Sequence, residues 1–557
     1  MIRARLSVKM GANHWVRERD GMTSTVEVIA DAMKAVGTPF ITGHPGGESV
    51  ELMDAVRQRD MRFILFKQEV AAAMMAATWG EITGVPGICL STRGPGASNM
   101  VNGIAYASLD RAPLIAITDQ YDPATYAIGL RQRIDQLAMY QPLVKWSTTV
   151  NAKTIRHQMQ RAIRETTAAP PGPVHFEMPQ SETTREAGDY PAGAPLMPNI
   201  IDIEPDRASL KAPLDLISEA RRPIILVGLG ALWGRASEDL TALAEHLGAP
   251  VLVTPKCKGV ISEDHALRAG CMIGGIIERK LISQADLIIT VGLDAVELQP
   301  KAWPYSAPVL AIAAIPNLDA VIPVGMEVIG PVAKILSRLT EFSGGGSAWG
   351  EKAAAVYRAD VVDALNTPST GLSPQRVMEV ARAILPRETI ATCDAGASRL
   401  LVVQKWESYG PREFLGSNGL GSMGYAVPGA LAAKMAHPDR PCVAFVGDGG
   451  FMMSVAELQT SVAENLPIIC VVFDDEEIGL IRVKQQLKQI PQYGVRIGGM
   501  HWDKLAQGFG ADGVVVDNEQ ALDAALRAAL KSGRTTVIGA KIDGSGYVDQ
   551  FNALREL

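Results

Sequence analysis

Short apolar runs alternate with stretches of helical periodicity along most of the chain, and Gly- and Pro-rich turns punctuate them. Ser24 is placed to cap a helix that runs to Val36, with Gly37 beyond its end. Phe40 to Thr42 is a short strand leading into Gly43-His44-Pro45-Gly46-Gly47. Arg62 to Phe66, Gly87 to Leu90 and Leu114 to Ile117 are further strands, and the small apolar stretch Ala71 to Thr83 suits a tightly packed helix. A second series has strands at Pro223 to Val227, Pro250 to Val253, Leu287 to Val291 and Val309 to Ala313. A third has them at Thr389 to Thr392, Cys442 to Val446, Ile468 to Phe473 and Thr536 to Lys541. This alternation predicts an α/β chain of three doubly wound parallel sheets with helices on both faces.

The punctuation divides the chain. Residues 1–21 read as a disordered N-terminal extension in which Arg3, Arg5, Lys9, Arg17 and Arg19 outnumber Glu18 and Asp20. It has no apolar core of the kind a secretory signal needs. Three domains follow, at 22–190, 200–342 and 365–557. The Pro/Gly-rich stretch 190–199 and the segment around Ser343-Gly344-Gly345-Gly346-Ser347 separate them.

Composition narrows the function. At 557 residues, with 47% hydrophobic and 20% charged positions, the chain can bury large cores. A net charge of −7 gives no reason to expect nucleic acid or an anionic membrane as partner. No apolar run is long enough to span a bilayer. The six cysteines contain no CxxC pair and sit mostly in apolar stretches, which predicts reduced, buried thiols and a cytoplasmic protein.

The strongest chemical signal runs from Cys442 to Asp475. An apolar strand leads into Gly447-Asp448-Gly449-Gly450, an amphipathic run, a second apolar strand and Asp474-Asp475. In a parallel sheet, Asp448 and Asp475 then fall at the ends of successive strands, on the rim where ligands bind. Two hard oxygen ligands beside a Gly-rich helix entry suit Mg2+ holding a diphosphate.

Several patterns in order resemble the thiamine-diphosphate enzymes of the acetolactate synthase and pyruvate oxidase group. They are Gly43 to Gly47, the Glu of Phe66-Lys67-Gln68-Glu69, Ser91 to Asn99, Pro171-Gly172-Pro173-Val174, Gly421 to Pro428, and the Asp448–Asp475 segment. The resemblance covers about residues 23 to 545. It implies pyrimidine-binding, central and diphosphate-binding domains. It also implies a homodimer at minimum, with a homotetramer expected, because each cofactor lies between the first domain of one chain and the third of another. The implied cofactors are thiamine diphosphate and Mg2+. The central Gly228-Leu229-Gly230…Gly234 is either a vestigial nucleotide site or simple helix packing, and FAD, bound there by some relatives, is not expected.

Residue by residue, the resemblance makes Asp448, Asp475 and the backbone carbonyl of Glu477 metal ligands. Gly449 and Gly450 would hold diphosphate oxygens with their amides, and Ser398 either joins them or is a plain loop serine. Gly46 belongs to the cofactor-binding set. Met423 would prop the bent cofactor, and the Gly421 carbonyl would accept from its aminopyrimidine. Glu69 is the catalytic acid, at a half-buried helix entry, bonded to the pyrimidine ring. Gln120 would orient a bound carbonyl. His44 and Lys145 are candidate substrate contacts, with a turn histidine and a solvated lysine as the alternatives. Asp474-Asp475 stands where the family pattern ends in two asparagines. The extra negative charge of Asp474, Glu476 and Glu477 weakens diphosphate binding unless a cation compensates or the acids turn outward. Gly47 stands where plain decarboxylases place an Asp, which favours carboligation. Val70 and Val483 depart from the acetolactate synthase pattern.

The reading is decarboxylation of a pyruvate-like 2-oxo acid followed by transfer to a second carbonyl. The rivals are a decarboxylase or C–C lyase with another substrate, and a non-catalytic cofactor-binding paralogue.

Overall fold

The computed structural model describes residues 23–188, 203–319 and 321–555. The predicted extension at 1–21 and the predicted linker at 190–199 therefore lie outside the described residues. The chain falls into two compact units, residues 1–200 and 201–557.

The first unit holds one six-stranded parallel sheet. Its strands are β1 (Phe40–His44), β2 (Arg62–Leu65), β3 (Gly87–Ser91), β4 (Leu114–Gln120), β5 (Trp146–Thr149) and β6 (Pro173–Pro179), in the order β2-β1-β3-β4-β6-β5. β3, β4 and β6 are buried along their whole length. That is what helices on both faces of a parallel sheet produce. The helix Glu69–Thr83 is buried on nearly every side. Its alanines admit the helix Pro95–Leu109 so closely that a Cβ on Gly103 would stand 2.5 Å from the Ala73 Cβ.

The second unit holds two more six-stranded parallel sheets. The central one comprises β7 (Pro223–Val227), β8 (Val251–Val253), β9 (Arg268–Cys271), β10 (Leu287–Val291), β11 (Val309–Ala313) and β12 (Met326–Ile329), in the order β12-β11-β10-β7-β8-β9. The last comprises β13 (Ile390–Cys393), β14 (Phe414–Gly416), β15 (Cys442–Gly447), β16 (Ile469–Asp474), β17 (Asp512–Val516) and β18 (Thr536–Lys541), in the order β14-β13-β15-β16-β18-β17. One apolar core joins these sheets, with Leu226 and Ile288 of one and Val443, Phe445 and Val471 of the other as members. Each such side chain stabilises the fold by roughly 1.5–3 kcal/mol when fully buried.

The first and last sheets have the same topology. In both, the chain leaves a central strand, adds an edge, and returns on the other side. The point where the order reverses lies between β1 and β3 in one and between β13 and β15 in the other. Loops from the carboxyl ends of these strands flank a crevice there.

The strands that the apolar pattern did not announce are β5, β6, β9, β12, β14 and β17. All but β6 lie at or form a sheet edge. β5, β12 and β17 are half exposed, so their composition is mixed. All six cysteines are unpaired and buried. No helix among the described residues is long and apolar enough to cross a membrane.

Candidate active site

In the second unit, Asp394, Asp448 and Asp475 sit at the carboxyl ends of β13, β15 and β16, on either side of the reversal point. Asp448 opens the helix Asp448–Ser454 and accepts the Gly449 N–H at 2.7 Å through Oδ1. Its other oxygen, Oδ2, is buried without a partner, and so is Oδ2 of Asp475. Two orphaned carboxylate oxygens at adjacent strand ends fit a divalent cation, because buried polar atoms otherwise find partners. Burial pushes the Asp448 carboxyl up to about 7, and the Asp475 charge adds to it. Burial raises Asp475 to about 6, while the Arg482 guanidinium pulls it down. A Cβ at Gly479 or Gly544 would stand 2.9 or 3.1 Å from Asp475 Oδ2, so glycine at both positions keeps room for that carboxylate.

The neighbouring acids are each engaged by another side chain. Asp474 accepts the Trp502 indole N–H at 2.8 Å. Glu476, at φ 59°, turns outward with Lys541 Nζ 3.7 Å from Oε1. Arg482 Nε lies 2.8 Å from Glu477 Oε2, and its NH2 donates to the Gly544 carbonyl at 2.8 Å. With its carboxylate engaged, Glu477 has its backbone carbonyl to give a metal. Among the described residues no group of three or more His, Cys, Asp or Glu forms a metal cluster by side chains alone. The donor set therefore needs that carbonyl and the oxygens of the ligand itself.

Asp394 organises the second side of the crevice. Its carboxylate accepts the N–H groups of Gly424 and Ala426, each at 2.7 Å, where the helix Ala426–Ala436 begins. Burial raises it to about 6 and these amides hold it down. The loop that carries Gly421 and Met423 is thus fixed, with φ +70° at Gly421. A Cβ at Gly450 would stand 2.2 Å from Asp394 Oδ2. One at Gly449 would meet Ile478 at 2.9 Å, Ile497 at 3.0 Å and the Met423 methyl at 3.6 Å. Met423 therefore stands in an apolar group beside the Gly449 amide. Ser398 precedes the helix Arg399–Lys405 and does not cap it.

In the first unit, Glu69 is the first residue of its helix and is partly buried. Asn99 donates to its Oε2 in a short hydrogen bond and to Gln68 Oε1 at 3.0 Å. A Cβ at Gly96 would stand 3.1 Å from Glu69 Oε1, and one at Gly46 2.5 Å from Thr92 Oγ1. Gly46, Glu69 and the loop from Ser91 to Asn99 therefore meet at one rim. His44 is exposed there, with Nδ1 2.9 Å from the Phe66 carbonyl.

Gln120 is buried and donates to Glu177 Oε1 at 2.8 Å, while its own oxygen accepts the Tyr121 N–H at 2.9 Å. Gln136 joins this network and accepts the N–H of Gly94, at φ +68°, at 3.2 Å. Gln120 thus supports the Ser91–Asn99 loop from below. Lys145 is not brought to the site. It precedes β5, on the amino-terminal rim of the sheet, and donates to the carbonyls of Ala168 and Pro170 at 2.8 and 3.0 Å.

Three residues escaped the sequence reading. Asp394 and Arg482 are described above. The third is Asp119, at the end of β4, which accepts the Ser49 hydroxyl at 2.7 Å and leaves Oδ1 buried without a partner. Burial raises it to about 7. For Asp119 the available signal was a carboxylate closing an otherwise apolar strand.

Comparison with known proteins fits this geometry. Residues 23–139 match the thiamine pyrophosphate enzyme N-terminal TPP binding domain, 210–339 its central domain and 394–540 its C-terminal TPP binding domain. The chain is 30% identical over 541 residues to the acetolactate synthase large subunit of Parasynechococcus marenigrum, covering 93% of this chain and 87% of the relative. It is 29% identical over 553 residues to a probable acetolactate synthase large subunit of Methanococcus aeolicus, covering 93% and 92%. The acetolactate synthase of Bacillus subtilis is 27% identical over 553 residues, 94% of each chain. The chain belongs to the thiamine pyrophosphate enzyme family. Within that family it is an acetolactate synthase-like enzyme that depends on thiamine diphosphate.

Proposed function

We propose that the protein decarboxylates a pyruvate-like 2-oxo acid and joins the acyl fragment to a second carbonyl compound, as an acetolactate synthase does. The observation that carries this reading furthest is the pair of orphaned carboxylate oxygens on Asp448 and Asp475. They fit Mg2+, with the Glu477 carbonyl as a third protein ligand and the Gly449 and Gly450 amides directed to a diphosphate. When bound, thiamine diphosphate supplies the nucleophile and the electron sink for decarboxylation.

The chain's own residues supply the rest. Asn99 donates to Glu69 Oε2 and so fixes the carboxyl, which leaves Oε1 to exchange a proton with the aminopyrimidine. Asp394 holds the Gly421–Met423 loop, and Met423 excludes water from the face of the Gly449 turn. Gly47 leaves no proton-donating side chain at its position, which favours ligation over protonation of the acyl fragment. Gln120 acts by supporting the loop from Ser91 to Asn99, and His44 is the substrate contact from this unit. Ser398 contributes to the diphosphate side.

The working form is a homodimer at minimum, with a homotetramer expected, in the cytoplasm. The large exposed side chains of Met452 and Met453, on the helix that Asp448 opens, support a covered surface there.

The test strips the protein of metal, restores Mg2+ and thiamine diphosphate, and follows binding together with CO2 release from a panel of 2-oxo acids. Acetolactate from pyruvate is the expected product. CO2 from a different acid alone would replace the reading by another decarboxylase. Binding with no turnover on any acid would leave a lyase or a non-catalytic paralogue.

A further inference from the structure

The central sheet reverses its strand order between β7 and β10, so its ligand crevice lies over the carboxyl ends of those two strands. The Gly228-Leu229-Gly230 turn follows β7. In a dinucleotide site the amides of such a turn face a pyrophosphate, at the start of a long helix. Here none of the three is directed to a ligand. Gly228 N–H donates to the Val291 carbonyl at 3.0 Å and Gly230 N–H to the Gly292 carbonyl at 2.8 Å. Leu229 N–H donates to Oε2 of Glu297 at 2.8 Å.

Glu297 is buried, and its other oxygen accepts the Thr254 hydroxyl at 2.5 Å. A Cβ on Gly228 would stand 2.4 Å from Glu297 Oε2, so the carboxylate lies directly on the turn. The helix after the turn, Gly230–Trp233, is a single turn long and offers little dipole.

A second loop repeats the arrangement. After β9, Ile273 and Gly274 N–H groups donate to the two oxygens of buried Glu278, at 2.6 and 2.7 Å. The cavity beside Glu278 and Glu297 measures about 80 Å3 and is lined by Gly274, Gly275, Glu297, Leu298, Gln299 and Trp303 among others. Small-molecule sites enclose roughly 300–1,000 Å3.

We propose that the buried carboxyl groups of Glu297 and Glu278 occupy the amides of these two loops and close the central crevice, so that this protein refuses FAD and related adenine nucleotides. A flavin phosphate would have to displace a buried carboxylate from each loop.

The inference does not depend on which 2-oxo acid is used, and its test does not read activity. The intact protein, loaded with Mg2+ and thiamine diphosphate, is titrated with FAD and separately with ADP. Flavin fluorescence and the thermal midpoint are followed. Neither should change, and the purified protein should carry no flavin. Saturable quenching of FAD, or a rise in the midpoint with either nucleotide, would overturn the proposal. Hydrogen exchange supplies a second measurement. The Leu229 amide should be protected in the wild type and should exchange at least about threefold faster in Glu297→Ala, as loss of its hydrogen bond to that buried carboxyl implies. A Leu229 amide equally fast in both proteins would remove Glu297 from this role. Loss of thiamine diphosphate binding in the same sample would count against the proposed function, and leave the flavin result standing.

Discussion

Arg482 and Glu477 form an ion pair, 2.8 Å between Nε and Oε2, beside the Asp475 carboxylate. The pair makes a run of four acids compatible with an anionic ligand. Arg482 is buried and also draws Asp475 downward against the effect of burial. Replacing it by Gln leaves Asp475 and Glu477 uncompensated. Arg482→Gln should weaken thiamine diphosphate binding by roughly tenfold or more, the scale of about 1.5–3 kcal/mol for a hydrogen bond to a charged group. A fluorescence titration at fixed Mg2+ measures this. An unchanged dissociation constant would mean that the charge is balanced elsewhere.

Asp394 collects the amides that begin the helix Ala426–Ala436. Asp394→Ala removes that cap and leaves buried N–H groups unpaired, at a cost of about 1–3 kcal/mol. The urea midpoint should fall, and cofactor affinity with it, because the same loop carries Gly421 and Met423. A variant with wild-type stability and affinity would show the loop to be held by other contacts.

Glu69 offers a cleaner separation of binding from chemistry. Glu69→Gln keeps the size and the contact with Asn99 but cannot hold or give the same proton. Turnover should drop by roughly 10²–10⁴-fold, the range for a general acid or base. Binding of Mg2+ and thiamine diphosphate should persist in the same preparation. Undiminished turnover would take Glu69 out of the reaction.

His175 sets a pH dependence within the first unit. Its ring lies between the hydroxyls of Thr118 and Ser147, each at 2.8 Å. Burial lowers its pKa from 6.5 to about 3. The unfolded chain therefore binds more protons than the folded one between these values. The stabilisation is complete above pH 6.5 and is lost as pH falls toward 3. Between pH 7 and pH 5 this single group should remove about 2 kcal/mol. His175→Gln should flatten that part of the profile in urea denaturation. Equal slopes in both proteins would mean that the ring is protonated in the folded state.

The parts of the site that could be read along the chain are those fixed by strand ends. The β15–turn–helix–β16 unit was visible because Gly447 to Gly450 interrupts apolar runs on both sides, and that alone put Asp448 and Asp475 on one rim. The helix from Glu69 was visible for a similar reason. Compensation by Arg482 was not visible, since it depends on where a guanidinium lands after the turn at Glu476. The role of Asp394 was hidden because its partners are backbone amides some thirty positions away, which leave no mark in side-chain pattern. Lys145 reads from the sequence as either a substrate contact or a solvated lysine because β5, an edge strand of mixed polarity, leaves no apolar pattern. Without it there was no way to see that Lys145 enters the sheet from the opposite rim.

The six buried cysteines supply a clock for the fold. Burial lifts Cys271, Cys393, Cys442 and Cys470 to about 12, so almost no thiolate exists in the closed protein at neutral pH. Any reaction with a thiol reagent must then wait for the surrounding strands to part. Cys393 immediately precedes Asp394, and Cys271 ends β9 beside the loop held by Glu278. Cys271 and Cys393 belong to the one apolar core that joins the central and last sheets, so labelling at both would show whether the two sheets open together or in turn.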